Sequence, residues 1–110
     1  MAMTQTKLHA PAQLGTSAAT LYTVPGSTTT IVKQIALCNT AAAARTVTIH
    51  LVPSGGSASA TNAILYEVSV DAKSTTFVNL SAVMATGDIL QGLASVAASV
   101  SIHSFGVQEA

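Results

Sequence analysis

Charge is what this chain has least of. Asp, Glu, Lys and Arg make up 7% of its 110 residues, against roughly 25% in an ordinary soluble domain. They cancel to a formal net charge of +0, which does little to keep copies apart in solution. The cations Lys7, Lys33, Arg45 and Lys73 are scattered, so the basic patch that nucleic-acid backbones require is missing. Aromatics are 4% with no Trp. Tyr22, Tyr66, Phe77 and Phe105 are too few for a base-stacking platform, and the core must be filled by Val, Ile, Leu and Ala. A single cysteine, Cys38, rules out an intrachain disulfide, so the fold must stand on its core. Its neighbours Leu37 and Asn39 offer no cation to activate a thiolate, and a buried, unreactive thiol is expected.

Targeting signals are missing as well. Met1 to His9 has no apolar run of the kind a secretory signal needs. The most apolar stretch, Ile89 to Ile102, falls short of the ~20 residues that span a bilayer, and Ser95, Ser99 and Ser101 punctuate it. These features point to a chain made in a cytoplasm, with no membrane partner.

What is present is aliphatic, hydroxyl-rich and β-branched. Hydrophobic residues are 49% of the chain, enough for one core in one domain. Residues 1–18 mix Thr, Gln, Ala and Pro11 without a period and read as an extended N-terminal arm. Residues 19–110 read as the domain. Leu21 to Val24, Thr28 to Cys38, Thr46 to Val52, Ile64 to Val70, Thr75 to Leu80, Ile89 to Ala94 and Ser99 to Val107 are the expected strands, with Pro25-Gly26, Ser54 to Ser59 and Gly87-Asp88 between them. Thr46 to Val52 alternates cleanly, with Val47, Ile49 and Leu51 on the core face and Thr46, Thr48 and His50 on the other. By the same rule Ile64, Tyr66, Val68 and Val70 should share the inner face of their strand. Parity breaks predict bulges near Lys33 and near His103 or Ser104. Ser81 to Thr86 reads as irregular. An echo of Leu21 to Val24 plus Thr30 to Val32 in Leu65 to Val68 plus Thr76 to Val78 suggests two analogous hairpins. With no sustained helical period, the fold class is all-β: a single antiparallel β-sandwich, jelly-roll-like.

Chemistry is hard to find. Serines are plentiful, and His50 or His103 with Asp71 or Asp88 would complete a triad, but no serine lies in a Gly-x-Ser-x-Gly elbow. Asp88 after Gly87 is better read as a turn residue bonding to backbone. His50 and His103 would meet only if their strands were neighbours, and two histidines without an acidic cluster make a poor metal site. Only Asn62 and Asn79 hint at sugar binding. No catalytic, cofactor-binding or metal residue is therefore assigned, and an enzyme is not expected. A surface of Ser, Thr, Asn, Gln and Ala has few ions to desolvate, which suits a protein held against copies of itself or a larger assembly.

Leu21-Tyr22-Thr23-Val24-Pro25-Gly26, the run Ile31 to Thr40, Val47 to Pro53 and Gly87-Asp88-Ile89-Leu90-Gln91 resemble small β-sandwich proteins from the structural-gene regions of tailed bacteriophages. The likeness covers about residues 20–107, although relatives usually carry a residue between Pro25 and Gly26. The resemblance implies a non-enzymatic virion protein. The first expectation is a capsid decoration (cement) protein on the outer capsid lattice, and the alternative is a neck, tail or fibre-associated structural or adhesion module. Its partners would be itself, as a homo-oligomer such as a trimer, and phage capsid protein. No cofactor and no nucleic acid are implied.

Overall fold

Short β-branched runs broken by Gly, Pro and Ser clusters have no way to bury an apolar face except by pairing into sheets and stacking them. The computed structural model describes residues 3–109, and it does this with nine strands. They are β1 (Met3–Lys7), β2 (Ala12–Gln13), β3 (Ala19–Thr23), β4 (Thr29–Asn39), β5 (Arg45–Val52), β6 (Ala63–Val70), β7 (Thr75–Met84), β8 (Ile89–Ala94) and β9 (Val100–Glu109), with one 3-10 turn at Ala60–Asn62. One sheet runs β1-β9-β4-β7, with β2 also on β9; the other runs β3-β8-β5-β6. Every pairing is antiparallel. Counting β1 and β2 as one interrupted edge, this is the eight-stranded double-sheet order of a jelly roll. The all-β sandwich expected from the sequence is the fold observed.

Between the sheets, Val32, Ile35 and Leu37 of β4 meet Val47 and Ile49 of β5, Leu90 of β8, and Val100 and Ile102 of β9, all fully buried. The face assigned to β5 holds: Val47, Ile49 and Leu51 stand opposite Ala94, Gly92 and Leu90. Leu51 lies at the margin of the core and is half-buried. Ile49→Ala is accordingly expected to cost about 2–5 kcal/mol and Leu51→Ala clearly less. Urea denaturation of the two variants checks the order; equal losses would mean that the core centre is misplaced.

The bulge near Lys33 is present. Register shifts between Val32 and Gln34 against both neighbouring strands. Other parity readings need correction. In β6, Glu67 takes a left-handed φ of 51°, and two register shifts follow against β5. Leu65, Val68 and Val70 therefore turn inward, while Ile64 and Tyr66 are exposed. β9 has no bulge at His103 or Ser104, since its register against β4 is unbroken from Asn39↔Val100 to Gln34↔Phe105; Val100, Ile102, Ser104 and Gly106 are the inward series, leaving Phe105 outside. Ser81 to Met84 is strand rather than irregular chain. The two echoing segments are not hairpins. β3 to β4 and β6 to β7 each cross from one sheet to the other, so the echo marks two equivalent crossovers.

The N-terminal segment is extended, as expected, but it does not stand apart from the domain. β1 pairs with β9 from Met3↔Glu109 to Lys7↔Phe105, and Leu8 and Leu14 belong to the core. His9 reinforces the attachment: Nδ1 donates to the Ala10 carbonyl (2.8 Å) and Nε2 accepts from the Ser104 hydroxyl (2.8 Å). The missing period misled because, of residues 3–18, only Leu8 and Leu14 are buried.

Candidate assembly surface

The side chains that face outward from the β1-β9-β4-β7 sheet are set by strand alternation and the Lys33 bulge. Cross-strand rows follow from the register. Val83, Ile31, Val107 and Gln5 form one row, Asn79, Gln34, Phe105 and Lys7 a second, and Phe77, Ala36 and His103 a third. Gln34 Nε2 donates to Asn79 Oδ1 (2.9 Å) and Lys33 Nζ to Ser81 Oγ (3.0 Å). The rings of His103 and Phe105 lie nearly parallel, with centroids 6.4 Å apart. Phe77 (60% exposed), Val83 (68%) and Met3 (59%) stand furthest into solvent on this face. A shallow depression of about 430 Å³ lies beside the bulge, between Gln5, Lys7, Lys33 and Phe105. Four large exposed apolar side chains grouped on one sheet face, with Lys7, Lys33 and Glu109 as its ions, are what a contact surface presents.

Cys38 also faces this way, between Thr75 and Ser101. It is half-buried, not enclosed in the core as its composition class suggested, because alternation from Leu37 sends it outward.

The opposite sheet hides the β5 part of its outer face under its own loop. Thr48, His50 and Val52 point away from the core yet are buried, because residues 53–62 fold back over them. Asn62 holds that loop. Its Oδ1 contacts His50 Nδ1 (3.0 Å) and accepts from Ser59 N (3.1 Å), and its Nδ2 donates to the Ser57 carbonyl (2.8 Å). A groove of about 510 Å³ remains between Thr46, His50, Ser59, Tyr66 and Glu67.

The residues considered for chemistry are dispersed. His50 lies outside one sheet and His103 outside the other, so the two imidazoles do not meet. Asp88 is a turn organiser, as its position after Gly87 suggested. Its carboxylate accepts from Ala85 N (2.9 Å) and Ser54 N (3.2 Å). Asp71 lies in the turn between β6 and β7. Among the described residues no three His, Cys, Asp or Glu side chains gather as metal ligands would. Asn62 and Asn79 act within the protein, on His50 and Gln34. The sequence missed Asn39, whose fully buried amide donates to the Ala43 and Val70 carbonyls and accepts from Ala41 N, tying the end of β4 to β6 in the other sheet.

No family model matches the sequence, and no curated protein matches it. Solved structures share the fold. A chain from the disulfide-linked pili of Bacillus endospore appendages superposes with a TM-score of 0.58 at 18% identity, over 96% of this chain and 86% of that one. Chains of infectious bursal disease virus, strains Gx and Gt, give 0.52 and 0.51 at 15% and 14% identity. Each of these covers 97% of this chain, which spans only about a third of their length (32% and 30%). At such identities the likeness is one of fold, and the fold is a jelly roll found in a pilus subunit and in virus chains.

Proposed function

We propose that this chain is a structural protein of a bacteriophage particle, a decoration or cement protein that sits on the outer capsid lattice in many copies. The observation that carries the reading is the outward face of the β1-β9-β4-β7 sheet, where Phe77, Val83, Phe105 and Met3 stand exposed on a face whose ions are Lys7, Lys33 and Glu109. A solitary protein gains nothing from such a face, whereas a subunit of an assembly buries it. The phage-like sequence grammar and the virus chains that share the fold support the placement.

The test is to mix purified protein with capsids lacking it and sediment the particles. Saturable binding at many equivalent sites is expected. Binding at a few sites would move the protein to the neck, tail or fibre, and no binding to any particle would defeat the virion reading. A second reading, a subunit of a tail, fibre or other appendage, draws on one observation: the pilus chain matches this one nearly end to end, while the virus chains are about three times longer. Filaments formed by the purified protein alone would favour it.

A further inference from the structure

Four strands end the two sheets, and three carry protections that stop edges from pairing with other chains. β1 is five residues long and contains Lys7. β3 is equally short and its register breaks between Thr20 and Tyr22. β6 is broken by the Glu67 bulge. β7 has none of these beyond one register step against β4. Its ten residues, Thr75–Met84, include no charge, no proline and no glycine, and among the described residues it pairs with β4 alone. The side of the sandwich where it lies is also the apolar side. Of the seven exposed large hydrophobic residues among those described, Ile64 and Tyr66 are on β6, and Phe77 and Val83 are on β7.

The sequence of β7 is also self-complementary. Set antiparallel to itself about a two-fold axis at Leu80, it brings Phe77 opposite Val83 of the second copy, and Val83 opposite that copy's Phe77. Asn79 then faces Ser81 on the outer side, and Val78 faces Ala82 on the inner side. Aromatic to β-branched and hydroxyl to amide are favourable cross-strand pairs. No ion faces an ion. Lys33, the nearest cation, sits one strand back. Its Nζ reaches across to Ser81 Oγ (3.0 Å), so the two ammoniums would rest on either side of the dyad about 8 Å apart, the diagonal of one ~4.8 Å strand spacing and two residues of rise, where salt at ~0.15 M screens most of their repulsion.

We infer that two copies of this chain join edge to edge through β7, in the register that places Leu80 on the dyad, so that one continuous sheet crosses the dimer. Size fits. A ten-residue strand spans about 33 Å, and the smallest extent of the molecule is 19 Å. The wall formed by β7 and β6 therefore offers on the order of 600 Å² per partner, at the lower end of the ~1,200–2,000 Å² total of stable interfaces. The inference rests on the reading of the chain as an assembly subunit but names its own contact. A two-fold contact makes dimers and does not close a trimer.

The experiment uses the full chain in solution without any particle, so its failure is separate from failure to bind capsids. Sedimentation equilibrium should show a dimer for the natural protein. Phe77→Glu and Val83→Lys should each weaken dimerisation about tenfold or more. The double variant should regain it, because each glutamate then faces the lysine of the other copy; within one chain the two positions are about 20 Å apart. Both positions are exposed, and circular dichroism confirms that each variant is folded. On the natural protein, hydrogen exchange at the β7 amides should slow with rising concentration. A monomer or trimer, a dimer indifferent to both single variants, a double variant no better than the singles, or β7 exchange independent of concentration would each overturn the inference.

Discussion

Removal of residues 2–16 is expected to unfold the domain or bring it to the edge of unfolding. The segment looks separable in the sequence, but it contributes Leu8 and Leu14 to the core. It also covers β9 along β1 and β2, and its backbone bonds tie Leu8 N to the Ser104 carbonyl and Leu14 N to the Val100 carbonyl, both 2.9 Å. Losing a buried leucine costs about 2–5 kcal/mol even when only its side chain is trimmed. Two such losses, with β9 left as a bare edge, approach the ~5–15 kcal/mol that holds a whole domain together. Urea titration followed by circular dichroism measures the effect. A truncated chain that unfolds at the same midpoint as the full chain would show that the segment is an arm after all.

Gly106→Ala should be the most damaging single methyl in the molecule. A Cβ there would overlap the Ile31 carbonyl oxygen and lie 3.3 Å from Val32 Cα, at the point where β9 packs against the bulged part of β4. Backbone cannot rotate away as a side chain does, so β4 would have to shift, and β7 with it. Overpacking usually costs about 1–3 kcal/mol; here about 3 kcal/mol or more is expected. Gly92→Ala is the control. Its Cβ would meet only the tips of Ile49, Leu14 and Leu21 at 2.9, 3.1 and 3.3 Å, and the free end of a side chain can give where backbone cannot. A loss of less than about 1.5 kcal/mol is expected there. Denaturation midpoints of the two variants decide the matter; comparable losses would mean that the close approach at Gly106 relaxes freely.

Fold class was legible because most strands alternate honestly. β5 announces its two faces, and the wrong parity of Lys33 gives away its bulge. Errors arose where the inward residue has nothing to show. In β9 the inward positions after Ile102 are Ser104 and Gly106, so the eye follows Phe105 and Val107 and invents a bulge. In β6 the opposite happens. Glu67 adopts a left-handed conformation that its side chain does nothing to advertise, and the apparent alternation of Ile64, Tyr66 and Val68 is an accident. The assembly surface was legible only as composition. Phe77 and Val83 look like core residues in sequence, and only the sheet order shows that they lie on an outward face of an edge strand. Asn39 and Asn62 were invisible as organisers because their partners are backbone groups and a histidine far along the chain.

The position of β9 sets the order in which the fold can be completed. Among the described strands it alone touches β1, β2 and β4, and it follows the other eight along the chain. Until its ten residues are free, half of the sandwich has no centre: β1 has nothing to pair with, and Leu8 and Leu14 have no wall to pack against. The β3-β8-β5-β6 sheet lacks its facing layer for the same interval. Closure therefore joins the two ends of the domain in one late step of very high contact order. Through that delay the neutral edge of β7 is exposed beside every other nascent copy, and its scarcity of charge must be tolerated during biosynthesis as well as in the finished assembly.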